Sequence, residues 1–417
     1  MANKDRFPAP AYSPLARMIV PLFGKLYLRL ALGVSTIVLP EGEILRNELR
    51  RFEERRSSLI LAFRHTAVED APTLLVGVKH PHLRFLYGRD VVNWAGWPTK
   101  ILFPALGFVA VENRGNNREG AQYLRKEVQN PRFPIALAPE GQVTYHAYTC
   151  ASIEMGAANI ASWALEGPRE EVVILPIGIG YRYAKDNDRF LLDLITRWEK
   201  EANVTVDRSL PPNEQIRAIG YETLKLVNTF WNLNLTLKGS FIEQRDGLCD
   251  ALLRYSESLG GLEDSSGSII DRLFRVRYKA VSVLNDTDRS LLSEDERRLH
   301  DEEVTKQKIS DHAAQVVDVL EYIDLNYLEG KHAVQRSIEV MLSLLDVLNR
   351  LQGGMINSRF SPKGKKAFIL GGTPIEVRKS FGHITGRKER LNAINQALEE
   401  GLNNVSLTLE EIMFQST

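Results

Sequence analysis

The stretch SSLILAFRHTAVEDAPTLLVG, residues 57–77, contains the pattern of a strand, a turn and a helix in immediate succession. Its apolar run ends at Phe63 without polar alternation, which predicts a strand buried on both faces of a sheet. The segment that begins near Asp70 carries a proline in its first turn and predicts a helix. A strand followed directly by a helix is the building unit of α/β proteins, so the stretch predicts that fold class.

The same alternation extends through the first half of the chain, over residues 36–184. Apolar runs predict further strands, and segments with helical periodicity lie between them. The predicted strands are 82–90, 107–113, 133–141 and 171–183, and the predicted helices are 116–130 and 152–167. We therefore expect one α/β domain over this range.

Residues 185–364 lack strand patterns and predict an all-helical region. A strand pattern returns in AFILGGTPIEV, residues 367–377, and a helical pattern follows it at 387–402. An apolar strand needs neighbours for its N–H and C=O groups, and a helical region offers none. We predict that residues 365–417 complete the α/β domain of residues 36–184, with residues 185–364 as a large all-helical insertion.

The bulk composition narrows the classes of function. Lys plus Arg and Asp plus Glu number 53 each, so the formal charge is zero and we expect no nucleic-acid partner. The two cysteines form neither a disulfide framework nor a CxxC motif. His80 and His82 lack a neighbouring cysteine or acid cluster, and we predict no metal site.

Residues 1–35 are predicted to be a membrane-associating segment. The apolar sequence that starts near Leu15 is interrupted by Arg17, Lys25 and Arg29. Its uncharged pieces are shorter than the roughly 20 residues needed to span a bilayer. Apolar residues interspersed with basic ones suit a segment that lies in a membrane interface. A helix packed on the protein's own core fits the same pattern, so both interpretations stay open.

His65 and Asp70 form the candidate catalytic pair. His65 follows the predicted strand, at the edge where open α/β sheets present ligands. A turn can fold the Asp70 carboxylate onto the imidazole of His65. The carboxylate then accepts a hydrogen bond from Nδ1–H, which leaves Nε2 free to act as a base. A histidine at a strand end and an aspartate that starts a helix have the same spacing without any chemistry, and the pattern alone leaves both readings open.

Four segments of the first half carry a more specific signal in combination. They are RHTAVED (64–70), GFVAVENRG (107–115), APEGQVTY (138–145) and VVILPIGIGY (172–181). In this order they resemble the motifs of the phospholipid/glycerol acyltransferase family, which includes lysophosphatidic acid acyltransferases. Arg64 stands at an asparagine position of the family, Arg114 lies one residue further from the glycine than usual, and Val143 replaces an arginine.

The resemblance implies an acyltransferase-type fold, in which a mixed sheet is flanked by helices. The implied reaction moves a fatty acyl group from an acyl thioester to the hydroxyl of a glycerol-phosphate-type or lysophospholipid acceptor. His65 would act as the general base and Asp70 as its orienting partner. The acyl donor would be a thioester of acyl carrier protein or coenzyme A, and no other cofactor is expected.

The resemblance also implies a set of substrate-binding residues. Arg114 is expected to contact a phosphate of the acceptor, with Lys100 as a second basic candidate. Glu140 is expected to orient the acceptor or its own loop, or else to be a buried acid that accepts from backbone amides. Backbone N–H groups near Gly141, or in the turn after His65, are expected to stabilise the oxyanion.

The expected partners are the acyl donor, a lipid acceptor and the cytoplasmic side of a membrane, to which the protein would be peripheral. A rival interpretation is a non-catalytic lipid-binding or scaffolding protein that retains the fold. The departure at Val143 and the large helical region motivate this rival. The intact pair of His65 and Asp70 favours the enzyme, because a protein kept only for binding has no need of a base.

Overall fold

A computed structural model of the chain describes residues 10–78, 82–88, 91, 96–111, 118–286 and 292–415. These residues form an α/β structure with a mixed sheet of eight strands flanked by helices, as the sequence predicts for the fold class. The chain divides into two compact units. We call residues 186–360 the helical unit, and the described residues of 10–185 and 361–415 together the sheet unit.

The strands all belong to the sheet unit. They are β1 (Val34–Val38), β2 (Ser57–Phe63), β3 (Arg84–Gly88), β4 (Val109–Val111), β5 (Ile135–Leu137), β6 (Glu171–Arg182), β7 (Lys365–Gly371) and β8 (Ile375–Glu376). Their order is β1-β7-β6-β2-β5-β3-β4, and β8 pairs with β6. From β6 to β4 the strands are parallel, whereas β7 and β8 run antiparallel to β6. The ends of the parallel strands therefore share one edge, which we call the carboxyl edge.

The helices lie on both faces of the sheet and throughout the helical unit. They are α1 (Pro14–Leu30), α2 (Glu43–Glu53), α3 (Asp70–Gly77), α4 (Trp97–Ala105), α5 (Arg118–Gln129), α6 (Gly156–Ala164), α7 (Asn187–Ala202), α8 (Pro212–Phe230), α9 (Phe241–Leu259), α10 (Ile269–Asp286), α11 (Glu294–Leu320), α12 (Ala333–Leu351), α13 (Val377–Phe381) and α14 (Arg387–Gln415). Helices α7 to α12 form the helical unit.

The central strand β2 divides the core of the sheet unit into two layers. Leu59, Leu61 and Phe63 pack in one cluster with side chains of α1, α2 and α3. Ile60 and Ala62 point to the other face and pack with side chains of α5, α6 and α14. Because successive side chains of a strand point to opposite faces, an all-apolar β2 needs a helical layer on each side.

Strand β7 joins the last part of the chain to the sheet. Phe368 is aligned with Gly180 of β6, and Leu370 with Gly178, in an antiparallel pair. The apolar pattern near residue 367 predicts a strand in the same sheet as residues 172–179, and this pair confirms that prediction. A side chain at Gly178 would meet the carbonyl of Val405 at 3.2 Å, so this glycine lets α14 approach β6 closely.

The helical unit has its own buried core and its own helix caps. Ser240 and Ser293 begin α9 and α11 with capping boxes, in which Glu243 and Glu296 bond back to the serine N–H groups. In the described residues between 186 and 361 the regular elements besides α7 to α12 are two short 3₁₀ helices, Leu325–Glu329 and Ile356–Ser358. The prediction of an all-helical region holds for these residues.

The sequence patterns do not predict two elements of the sheet unit, strand β1 and helix α4. The boundary predicted at residues 35 and 36 falls inside β1, which pairs in parallel with β7 more than 320 residues later in the chain. Helix α4 has prolines at both ends and was not predicted. Helix α1 belongs to the sheet unit, with Arg17 and Leu28 buried.

None of the helices among the described residues is both long and apolar enough to cross a bilayer.

Candidate functional site

The carboxyl edge brings together the loops that follow β2 and β5. The two strands are neighbours, with Ala62 aligned to Leu137. The segments 64–70 and 138–145 therefore leave the sheet side by side. The N–H of Thr144 donates to the carbonyl of His65 at 2.8 Å, which joins the two loops directly.

His65 and Asp70 contact each other through their side chains, as their spacing predicts. Nδ1 of His65 lies 3.3 Å from Oδ2 of Asp70, at the long end of the hydrogen-bond range. The Asp70 side chain is completely buried, whereas that of His65 is 24% exposed. Nε2 is therefore the imidazole nitrogen that Asp70 leaves for another partner.

Three further donors fix the Asp70 carboxylate. The N–H of Ala67 donates to Oδ2 at 2.7 Å, and the hydroxyl of Tyr181 donates to Oδ1 at 2.7 Å. The hydroxyl of Thr66 lies 3.4 Å from Oδ1. With so many partners, the carboxylate has one orientation and can hold the imidazole in one orientation as well.

Burial dominates the electrostatics of this carboxylate. It raises the pKa of Asp70, and the hydrogen bonds from His65, Tyr181 and Ala67 counteract only part of that effect. Burial, and next the charge of Asp70, also raise the pKa of Tyr181 well above its ordinary value. Tyr181 therefore stays a neutral donor to Asp70 over the whole physiological pH range.

Arg64, which precedes His65, is a fully buried cation with many partners. Its Nε and Nη2 donate to the two oxygens of Glu140, at 2.8 and 3.2 Å. Its Nη atoms also donate at 2.7 to 3.2 Å to the carbonyls of His146, Ala147 and Thr149 and to the hydroxyl of Ser406. The guanidinium thus ties the loop after β5 to both β2 and α14.

Glu140 completes this arrangement as a buried acid. Its Oε1 accepts from the backbone N–H of His65 at 2.8 Å, in addition to Arg64. Its Oε2 accepts from the hydroxyl of Thr144 at 3.1 Å and from the N–H of Ala151 at 3.4 Å. Of the two roles open from the sequence, this geometry fits the acid that holds its own loop and the backbone of His65.

The expected oxyanion donors are mostly engaged within the protein. Gly141 has φ +74°, a backbone conformation that glycine adopts without strain, and its N–H donates to the carbonyl of Ala138. The N–H groups of His65 and Ala67 bind Glu140 and Asp70 respectively. The prediction of an oxyanion donor in these two turns therefore rests on their other backbone N–H groups.

The two basic candidates are not joined to the pair. Lys100 is exposed on α4, and no contact found among the described residues links it to His65 or Asp70. Arg114 lies outside the described residues. The phosphate contact predicted for Arg114 stays a prediction.

Sequence reasoning missed the roles of Arg64 and Tyr181. Arg64 stood out only as a departure from the family's asparagine, although a cation directly after an apolar strand signals a buried partner. Tyr181 lies in a strand that reads as apolar, and its hydroxyl meets Asp70 from 111 residues away. No local pattern indicates such a distant partner.

Metal ligands are not clustered in the part of the chain that the structure describes. No group of three or more His, Cys, Asp or Glu side chains there is arranged to hold a metal ion. Two histidines were considered in the sequence. Nδ1 of His82 lies 2.6 Å from the hydroxyl oxygen of Tyr12, and His80 is outside the described residues.

Comparisons of the chain with protein-family models, with curated proteins and with solved structures found no match. The chemistry of the site therefore has to be argued from its own geometry.

Proposed function

We propose that this protein is an O-acyltransferase of the phospholipid/glycerol acyltransferase type. It would move a fatty acyl group from a thioester of acyl carrier protein or coenzyme A to the hydroxyl of a glycerol-phosphate-type or lysophospholipid acceptor. The observation that carries this proposal is the partly exposed imidazole of His65 at the carboxyl edge, held through Nδ1 by the buried Asp70.

In the proposed reaction, His65 acts as the general base. Nδ1–H donates to Asp70, so Nε2 takes the proton of the acceptor hydroxyl as its oxygen attacks the thioester carbonyl. The tetrahedral intermediate then expels the thiolate, which receives the same proton from Nε2. An ester and a free thiol result, and the imidazole returns to its starting state.

The remaining substrate-binding roles belong to the same proposal. Arg114 would bind the phosphate of the acceptor, with Lys100 in support. Glu140 and Gly141 would act by shaping the loop beside His65, because the carboxylate and the glycine N–H already bind protein groups. Residues 186–360 would be an insertion in a discontinuous acyltransferase domain, a proposal supported by the pairing of β7 with β6 on either side of them.

Association with the cytoplasmic side of a membrane is also part of the proposal. One side of α1 exposes a series of large apolar side chains to solvent. They are Leu15, Met18, Ile19, Leu22, Phe23, Leu26, Tyr27 and Leu30. Lys25 and Arg29 are exposed on the same helix, which suits a peripheral helix that meets anionic headgroups.

The test is acyl transfer by His65→Ala, with His383→Ala as the matched control. His383 is an exposed histidine of the same unit, far along the chain from the pair. Purified protein is given labelled acyl-coenzyme A or acyl carrier protein thioester with glycerol phosphate, lysophosphatidate or another lysophospholipid. We expect turnover to fall by about a thousandfold in His65→Ala and to be unchanged in His383→Ala.

The rival function is a lipid-binding or scaffolding protein without catalysis. It predicts no transfer with any donor and acceptor pair, together with lipid binding that His65→Ala leaves intact. Near-normal transfer by folded His65→Ala would instead mean that another group is the base, and the proposed mechanism would be wrong.

A further inference from the structure

Two arginines at the amino end of β3 are buried without enough acceptors. Arg17 of α1 is 5% exposed, and Arg84, the first residue of β3, is 4% exposed. They are neighbours, because Nη2 of Arg17 donates to the carbonyl of Leu83, the residue before Arg84. Buried guanidinium groups are normally matched by carboxylates or by a full set of acceptors.

That match is missing for Arg17. Its Nε and Nη1 are buried and have no hydrogen-bond partner. The pKa of Arg17 is lowered to about 10, chiefly by burial and to a smaller extent by the charge of Arg84, while Tyr12 acts in the opposite direction. Among the described residues no carboxylate is close enough to pair with it, so the buried cation lacks a counter-charge there.

Arg84 is only partly matched. One of its Nη atoms donates to the hydroxyl of Tyr123, and the other lies 3.5 Å from an oxygen of Glu127. Its Nε is buried without a partner. Among the described residues one carboxylate therefore faces two buried cations, which leaves an excess of one positive charge and three buried guanidinium nitrogens without a partner on Arg17 and Arg84.

A third arginine, Arg132, lies at the surface close to Arg84. Arg132 is exposed, and its guanidinium lies 5.2 Å from the ring centre of Phe133 and 5.6 Å from that of Tyr12. The guanidinium of Arg84 lies 5.0 Å from the same Phe133 ring. Arg132 and Arg84 thus share one aromatic neighbour, with one cation at the surface and the other buried.

We propose that Arg17 and Arg84 form a binding site for a phosphate-type oxyanion, with Arg132 at its mouth. Guanidinium groups present N–H donors in a planar fork that matches phosphate oxygens, and an anion supplies the missing counter-charge. The group could belong to a membrane phospholipid, since α1 also carries the exposed apolar side chains, or to a soluble phosphate compound.

The site is separate from the reacting centre. Arg84 is aligned with Ile135, which is aligned with Ile60 of β2. His65 follows Ile60 by five residues, or about 16 Å along an extended strand. A phosphate bound here anchors a ligand at a distance from His65. The inference does not depend on acyl transfer, and binding alone tests it.

The test compares thermal unfolding of wild type, Arg17→Met and Arg46→Met. Methionine keeps the apolar stem of arginine without its charge, and Arg46 is an exposed arginine of α2, outside the proposed membrane-contacting helix. Each protein is heated with inorganic phosphate, with chloride at equal ionic strength, and with vesicles of phosphatidylcholine alone or mixed with phosphatidylglycerol.

We expect wild type and Arg46→Met to be stabilised by phosphate or by the anionic vesicles, and Arg17→Met to bind at least about tenfold more weakly. Stabilisation by inorganic phosphate identifies a soluble source, and stabilisation by the anionic vesicles alone identifies a lipid headgroup. Without either anion, Arg17→Met should melt above wild type, because it no longer buries an uncompensated charge.

Three results would overturn the site. One is equal stabilisation of Arg17→Met and wild type, and another is no stabilisation of wild type by either anion source. The third is a lower melting temperature of Arg17→Met without anion, which would mean that Arg17 is structural. Arg84→Gln, measured in the same way, decides the matter if Arg17→Met does not fold.

Discussion

Arg64→Met should be among the most destabilising single substitutions in the sheet unit. Methionine fills much of the same volume but removes the cation that faces Glu140 from a completely buried position. Breaking a buried ion pair by removing one partner costs about 3–5 kcal/mol, because the other charge stays buried and unpaired. That is a large fraction of the roughly 5–15 kcal/mol by which a typical protein is stable.

The structure offers a matched control for this substitution. Arg125 also forms a close ion pair, with Glu166 at 2.8 Å, but both side chains are about half exposed, at 54% and 44%. Exposed pairs contribute about 0–1 kcal/mol, so Arg125→Met should change the free energy of unfolding little. The double variant Arg64→Met/Glu140→Gln removes the unpaired charge and should recover part of the loss.

Urea unfolding measures these free energies. Because the chain has two compact units, amide hydrogen exchange in β2 and β5 identifies the transition that belongs to the sheet unit. The argument from burial fails if Arg64→Met costs no more than Arg125→Met. It also fails if the double variant is less stable than Arg64→Met, since the buried charge would then not be the cause of the loss.

Two further predictions concern the pair and α1. Burial raises the pKa of Asp70, so the folded state holds this proton more tightly than the unfolded state, and the free energy of unfolding falls as pH rises through that pKa. Asp70→Asn should therefore become more stable relative to wild type as pH rises from below about 4 towards neutrality, and it should lose acyl transfer. A difference in melting temperature between the two proteins that does not change with pH would contradict this prediction. Leu22→Asp, on the exposed side of α1, should lower the vesicle-bound fraction about tenfold. Leu407→Asp, at an exposed leucine of α14, should leave that fraction unchanged. Equal vesicle binding of the two variants would exclude α1 as the helix that contacts the membrane.

The sequence predicted the parts of the fold that depend on neighbours along the chain. Periodicity located β2, α3 and the later strands, and the five-residue spacing predicted the contact between His65 and Asp70. The return of β7 to the sheet followed from the need of an apolar strand for partners. These features follow from local patterns and from the rule that backbone polar groups must be paired.

The parts that were missed depend on partners far away in the chain. β1 is a strand because β7 lies beside it, and its own short sequence reads equally well as part of an apolar helix. The partners of Arg64 include Ser406, 342 residues later, and Tyr181 meets Asp70 across 111 residues. Tertiary packing determines such contacts, and they cannot be read from the composition of the chain or from the spacing of residues along it.

The proposed chemistry would give a reason for two buried acids beside His65 that packing alone does not require. His65 is held through its backbone by Glu140 and through its ring by Asp70, and both acids are buried. The Arg64 guanidinium balances Glu140, but burial still raises the pKa of Asp70, so its ionised form lowers the stability of the fold at neutral pH. Apolar side chains would fill the same space without that cost. A protein that only binds lipid has no use for a destabilising carboxylate behind a partly exposed imidazole, whereas a general base needs it to fix the tautomer. The argument therefore predicts two results for the same variant, Asp70→Asn: higher stability at neutral pH and loss of acyl transfer.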